Sequence, residues 1–309
     1  MILVLRALGV GDLATGVPAL RALRSAFPGR ELVLAAPRWL TPLVDLIGGV
    51  DRVLPVDGLD GVGAPGLPEA VSGAELAVNL HGSGPESHRM LRGAGRLWGF
   101  RCAAAEHLDG PEWVRDEHEV HRWCRMLRYY GVAADESDLS LMKPLVGSAS
   151  VTVVHPGAKS ASRRWPPERY AAVARELAGR GHRVVITGSG AERDLTAKVA
   201  ADAGLGPEAL PDTDIGSLAA LIAGARLLIS GDTGVSHLAT GFGTPSVTLF
   251  GPMSPAYWGP PPGRARHRVI WHGTSSERGD RPGPDVHPAL LAVTVDEALA
   301  AADHALAAP

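Results

Sequence analysis

The sequence predicts an α/β protein with two Rossmann-like domains, residues 1–147 and 148–309, facing each other across a cleft. Three observations carry this expectation. Short apolar runs alternate with amphipathic helical patterns in both halves, which implies parallel sheets covered on both faces. The alternation lapses over Ala133–Ser150, which reads as a linker, and then restarts. The length, 309 residues, suits two domains, each long enough to bury its own core.

In the first half, Ile2–Leu5 is a short apolar run of the kind expected for a buried parallel strand. Gly9-Val10-Gly11-Asp12 breaks it. A helical pattern follows through Val17, Leu20, Leu23 and Phe27, and Pro28-Gly29 ends it. Glu31–Ala35 is predicted as a strand, Leu40–Ile47 as a helix, and Arg52–Val56 and Leu76–Leu80 as further strands. Residues 57–73, rich in Gly and Pro, read as a loop, and Glu117–Tyr130 as an amphipathic helix.

The second half opens with a strand at Val151–His155. Pro166-Pro167 then starts a helix running to about Arg180. Strands are predicted at Arg183–Thr187, Arg226–Ser230 and Ser246–Phe250, with helices at Glu192–Ala203, Leu218–Ala223 and Thr233–Phe242. Thr294 and Glu297 have capping-box spacing for a final helix, Val295–Ala307.

The composition excludes several function classes. It is 45% hydrophobic and 20% charged, with a net charge of −3. No global field attracts nucleic acid or an anionic membrane. No apolar run reaches the ~20 residues of a membrane span, and no signal peptide is visible, so a cytoplasmic protein is expected. Cys102 and Cys124 have no CxxC or Cys/His ligand spacing and read as buried structural thiols. The twelve histidines form no HxxxH or HExxH pair, and there is no Gly-x-Ser-x-Gly elbow.

Three loops have the residues for chemistry. Gly9-Val10-Gly11-Asp12 follows the first strand and opens a helix. Gly9 and Gly11 let backbone approach a ligand, and Asp12 either caps the helix or acts as an acid–base group. The spacing fits neither a dinucleotide fingerprint nor a P-loop. The second loop, His155 to Pro166, holds Lys159, Arg163 and Arg164 among small residues. It is either a solvated basic loop or a diphosphate cradle. The third, Ser230 to His237, places Asp232, Thr233 and Gly234 at a helix start, where free N–H groups attract anions. His237 lies one turn on and is a structural or a ligand-contacting histidine. Asp212-Thr213-Asp214 has DxD spacing, a weak metal signal in a turn-rich stretch. His118 and His121 read as surface residues. Arg89, Arg92, Arg96 and Arg101 form either a positive patch or a solvated face.

Together these segments resemble glycosyltransferase family nine, the ADP-heptose:lipopolysaccharide heptosyltransferase-like family. The resemblance rests on "GVGDLATGVPALRALRSAFP", on "HPGAKSASRRWPPERYAAVARELAGRGHRVVITG" and on "LAALIAGARLLISGDTGVSHLATGFGTPSVTLFGPMSP". It spans about residues 1–255 and is loose over 57–145. It implies the GT-B architecture, an acceptor domain followed by a nucleotide-sugar domain, with the last helix crossing back to the first domain.

The resemblance further implies an inverting, metal-independent transfer of a heptose-like sugar from an ADP-sugar co-substrate to a saccharide or small-molecule hydroxyl. No cofactor is implied. Asp12 matches the family's catalytic base. Arg163 stands where the family has a phosphate-contacting residue that is usually Lys, a departure that keeps the charge and alters the geometry. Asp232, Thr233, Gly234 and His237 match the donor motif, Glu192 loosely matches a ribose contact, and Thr213 falls near the adenine pocket. The acceptor, including one at a membrane surface, is left open. The chemistry on a small secondary metabolite such as an aminoglycoside, a nucleotide-sugar epimerase and a non-catalytic nucleotide-sugar-binding protein remain as alternatives.

Overall fold

The computed structural model describes residues 1–57, 66–144, 150–274 and 284–308. The chain divides into two compact units, Met1–Met142 and Lys143–Pro309. The expected boundary at 147/148 lies outside the described residues.

The first unit runs β1 (Ile2–Leu5), α1 (Val10–Thr15), α2 (Val17–Ala26), β2 (Leu32–Ala36), α3 (Thr41–Ile47), β3 (Arg52–Pro55), α4 (Leu67–Ser72), β4 (Leu76–Asn79), α5 (Glu86–Met90), β5 (Leu97–Trp98) and α6 (Glu119–Tyr129). The sheet order is β3-β2-β1-β4-β5, and every pairing is parallel. Every residue of β1, β2 and β4 is buried. Strands covered on both faces have no solvent side, so they read as continuous apolar runs rather than alternations. The core gathers Leu3, Leu5, Val33, Val56 and Ala77 with Leu67, Val71 and Leu91.

The second unit runs β6 (Thr152–His155), α7 (Pro167–Gly179), β7 (Val184–Ile186), α8 (Arg193–Ala203), α9 (Ile215–Ala223), β8 (Leu227–Gly231), α10 (Gly234–Phe242), β9 (Ser246–Phe250), α11 (Pro255–Trp258), β10 (His267–Trp271), α12 (Pro288–Leu291) and α13 (Val295–Ala307). Its order is β10-β9-β8-β6-β7, again parallel throughout. Counted within the unit, this is the 2-1-3-4-5 doubly wound order, whereas the first sheet has the 3-2-1-4-5 order.

Helix α13 belongs to the second unit and packs against α7, β8, β9 and β10. The resemblance had implied a helix crossing back to the first domain. The apolar face of α13, with Ala298, Leu299, Ala302 and Ala305, is instead spent in the second core. Its capping box is present: Thr294 Oγ1 accepts from Glu297 N, and Glu297 Oε2 accepts from Thr294 N at 2.8 Å.

Two expectations are corrected. Residues 57–73 include a helix, α4, with a proline in its first turn. Proline there is compatible with a helix and is not a breaker. The stretch from Ala133 is no free linker up to Met142. Leu139 and Leu141 are buried, Arg21 bonds Asp138 and the Ser140 carbonyl, and Met142 N donates to Leu46 O at 2.9 Å. These residues form a strap fixed to the first unit. Elements β5, β10, α5, α11 and α12 have no counterpart in the expectations. They are short, and β10 is a half-buried edge strand carrying Arg268.

Candidate functional site

In open α/β sheets, ligands bind beyond the carboxyl ends of the strands where the strand order reverses. In the first sheet that point lies between β1 and β4, and in the second between β6 and β8. The loops after these four strands carry Asp12, His81, the Lys159–Arg164 segment and the Asp232–His237 segment. Four of the polar clusters in the sequence thus fall at the two places where topology opens a crevice.

Asp12 lies in the first turn of α1, whose N-cap is Gly9. One carboxylate oxygen, Oδ2, accepts from Gly9 N at 3.2 Å. Asp12 is thus not the N-cap that the capping reading expected; it is the third helical residue, and one oxygen reaches back to the N-cap Gly9. The other has no hydrogen-bond partner among the described residues, and the side chain is half-buried. Gly9 has ordinary backbone angles, φ −88° and ψ −174°, and Gly11 lies inside the helix.

Behind this turn sits Arg6, a fully buried cation that sequence reasoning passed over. Its guanidinium donates to the main-chain oxygens of Asp12 and Leu80 and to Thr15 Oγ1. Glu119 lies 3.8 Å away, and the Trp123 ring 4.8 Å beneath it. Gly16 makes room, since a methyl there would stand 2.9 Å from Arg6 Nε. The one signal in the sequence was a charge directly following an apolar strand. Burial holds the Arg6 guanidinium below its usual pKa, opposed by the neighbouring Asp12 and Glu119 charges.

In the second unit, Arg163 Nη1 lies 3.3 Å from Asp232 Oδ2. The two motifs that sequence reasoning singled out separately therefore meet. Arg164 Nε donates to Ala158 O at 2.8 Å, closing the basic loop on itself, whereas Lys159 is exposed. The loop is wedged in place. Gly231 lies against Arg163 O and Gly251 against Ser162 O, where added methyls would approach to 3.2 and 3.3 Å. Buried Trp165 donates from Nε1 to Val293 O at 3.2 Å, and His287 N donates to Ser162 O. Thr233 is the N-cap of α10, and its buried Oγ1 has no hydrogen-bond partner among the described residues. His237 packs edge-on to Trp258 at 5.9 Å.

Glu192 stands beside the same crevice. Its Oε2 accepts from Ser189 N and Oγ, each at 2.8 Å. A methyl on Gly157 would sit 2.3 Å from Glu192 Oε1, so the absent side chain at 157 is what admits the carboxylate. His155, behind it, is buried and bonds Thr187 Oγ1 at 3.0 Å. Burial pushes its imidazole down to about 4, against the pull of Glu192.

Thr213 is half-buried between two aspartates with other tasks. Asp214 Oδ1 caps α9 through Ser217 N at 2.7 Å, and exposed Asp212 lies 3.6 Å from Arg193. Among the described residues, no group of three His, Cys, Asp or Glu converges as a metal site.

The remaining expectations resolve as follows. Cys124 is buried, its thiol pushed up to about 12 by desolvation, while Cys102 is only half-buried. His121 is paired with Glu136 at 2.8 Å, and His118 is the N-cap of α6. The four arginines read as a positive patch or a solvated face are engaged, Arg89 with Ala104 O, Arg92 with Glu106, Arg96 with Glu75 and Arg101 with Glu112. Among the described residues, no helix is long and apolar enough to cross a membrane.

Comparison with known proteins bears on this geometry. A family model, glycosyltransferase family 9 (heptosyltransferase), matches residues 117–281, just over half of the chain. The chain belongs to this family. Lipopolysaccharide heptosyltransferase 2 of Escherichia coli K12 is 26% identical over 171 residues, covering 53% of this chain and 47% of that protein. Lipopolysaccharide heptosyltransferase 1 of Pseudomonas aeruginosa is 34% identical over 115 residues, 37% of this chain and 32% of that one. The chain thus matches half or less of the length of these curated relatives. Among solved structures, E. coli ADP-heptose lps heptosyltransferase II superposes with a TM-score of 0.76 at 21% identity, covering 99% of this chain and 98% of that one. A family 9 glycosyl transferase from Veillonella parvula gives 0.79 at 21% identity, with 99% and 96% covered. The fold of this family 9 member is therefore the heptosyltransferase fold along nearly the whole chain.

Proposed function

We propose that this family 9 protein is an inverting glycosyltransferase that moves a heptose-like sugar from an ADP-sugar to an acceptor hydroxyl, with Asp12 as general base. The observation that carries the proposal is the Asp12 carboxylate, held by Gly9 N–H on one oxygen and unpartnered among the described residues on the other. Its place beyond β1, at the point of strand reversal, supports the same reading.

In the proposed reaction the acceptor oxygen attacks the anomeric carbon from the face opposite the nucleotide. The new C–O bond forms as the bond to the diphosphate breaks. The electron pair leaves with ADP, and the hydroxyl proton passes to the free oxygen of Asp12. One displacement inverts the centre. Negative charge grows on the leaving diphosphate. Arg163 and Arg164, with Lys159 reaching in from solvent, would stabilise it, together with the N-terminus of α10 and the Thr233 hydroxyl, which has no partner among the described residues. Fixed cations here take the role that a divalent metal has elsewhere. Asp232, which orients Arg163, and Gly234 and His237 complete the donor site. Glu192 is assigned to the nucleotide ribose and Thr213 to the base.

The test is calorimetric binding of ADP, GDP, UDP and dTDP with and without EDTA, followed by transfer with the Asp12→Asn variant. Preferential ADP binding that survives EDTA, and transfer lowered by about a hundredfold or more at unchanged ADP affinity, are expected. Preference for another nucleotide would discard the donor. Binding that requires a divalent metal would discard the cationic-loop mechanism.

We assign the acceptor to the lipopolysaccharide core, a reading that the names of the relatives support. One observation favours keeping a second acceptor class, a small secondary metabolite such as an aminoglycoside. The family match begins at residue 117, and so leaves most of the first unit outside it.

A further inference from the structure

His81 follows β4 on the loop beside Asp12, and three separate contacts fix it. Its main-chain N donates to Asn79 Oδ1 at 3.0 Å, and that asparagine is itself buried and bonded to Ser87. The carbonyl just before it, Leu80 O, accepts from the same Arg6 guanidinium that holds Asp12 O. The imidazole Nδ1 accepts from Ala7 N at 3.2 Å. A backbone N–H can only donate, so the Nδ1 lone pair is spent on it. The single proton of a neutral ring must then sit on Nε2.

Nε2 has no partner among the described residues and is not among the buried unpartnered atoms, so it opens to solvent. Two charged groups act on the ring, Arg6 from the end of β1 and Asp12 from α1. Burial and the Arg6 charge hold the imidazole down at about 4, so it is neutral near pH 7.

We propose that His81 is an acceptor-binding residue, donating a hydrogen bond from Nε2 to an oxygen beside the attacking hydroxyl. This inference rests on Asp12 as the base. It also divides the labour: a ring whose Nδ1 lone pair is spent and whose Nε2 is protonated cannot take the hydroxyl proton. Asp12 accepts a proton from one acceptor oxygen while His81 donates to its neighbour. The acceptor class is then a polyol or saccharide presenting two oxygens side by side, and a lone hydroxyl on an apolar body is disfavoured. Arg6, touching both loops from behind, is a positioning residue that sets the spacing of the pair.

The experiment has two arms. Long-range proton–nitrogen correlation spectra of the ¹⁵N-labelled protein at pH 7 report the His81 tautomer without any substrate. Protonated Nε2 and bare Nδ1 are expected, and a ring protonated on Nδ1 overturns the proposal. In the second arm, transfer from ADP-heptose to a lipopolysaccharide core oligosaccharide is compared for wild type, His81→Phe and His81→Gln. The Phe variant should raise the acceptor KM by about tenfold, one lost hydrogen bond, at unchanged donor KM. The Gln amide can donate and should recover most of that loss. An unchanged acceptor KM in the Phe variant overturns the proposal. Full activity in Asp12→Asn would instead sink the base assignment, and no transfer by wild type would sink the acceptor assignment. In both cases the ring tautomer alone decides the role of His81.

Discussion

At the scale of single residues, groups proposed to touch ligand depend on others that make room for them. Gly157 is of the second kind. A methyl there would stand 2.3 Å from Glu192 Oε1, far inside van der Waals contact. Gly157→Ala must push the carboxylate out of the crevice. The expected outcome is about tenfold weaker ADP binding by calorimetry, with a thermal unfolding midpoint close to wild type, because the displaced group lies at the surface. Equal affinity would remove Glu192 from the nucleotide site. Such residues were unevenly legible in the sequence. Asp12, Arg163 and Asp232 were visible because each sits in a local strand–loop–helix signal whose meaning is contained in a dozen residues. Arg6 was not, because its partners Leu80 and Glu119 are remote in sequence. A charge that will be buried by distant residues looks, locally, like one that ends a strand.

At the scale of elements, α6 is tied to the Asp12 turn through one ionic junction. Glu119, in the first turn of α6, is buried and accepts from Trp123 Nε1 at 2.8 Å. It pairs with Arg122 and lies 3.8 Å from Arg6. Truncating one partner leaves the others charged and desolvated. Arg6→Met should therefore cost about 3–5 kcal/mol in urea unfolding, far more than loss of a surface pair. A cost below about 1 kcal/mol would mean that water reaches Glu119. By contrast, Thr294→Ala removes only the cap of α13 and should cost about 1 kcal/mol, measured the same way. Long helices with clear start signals, the Pro166-Pro167 pair of α7 and the capping box of α13, were read from the sequence nearly residue for residue. Short elements without an apolar run of their own, such as β5 and α4, were not, since too few residues remain to show a period and tertiary pairing alone defines them.

At the scale of the whole molecule, three imidazoles make stability depend on pH in one direction. His81, His155 and His267 are each pushed down to about 4, in every case first by burial. The unfolded chain, with ordinary histidines near 6.5, binds more protons than the folded one below that value. The stabilisation is therefore complete above about pH 6.5 and is lost as pH falls toward 4. Urea midpoints measured from pH 7 to pH 4 should fall progressively, and His155→Asn should flatten the slope. A midpoint that rises on acidification would contradict the buried neutral rings. The two-unit plan was legible because continuous apolar strands announce covered parallel sheets. The difference in strand order between the two sheets was not, since order is set by which edges pair and leaves no local trace.

The loop that carries Arg163 is held from behind by residues more than a hundred positions later: Val293 accepts from Trp165 and Arg169, and His287 N meets Ser162 O. During synthesis the first unit has all its strands once residue 142 is made, and domains tend to fold as they emerge. The basic loop has no such early opportunity. A chain stalled before Val293 has every cation of the proposed phosphate cradle and its wedge at Gly231 and Gly251, but lacks the Val293 brace behind it. An incomplete nascent chain is therefore expected to have an ordered front half and a loosely held loop, so that under the proposed function the protein is born some time before it can first meet a donor.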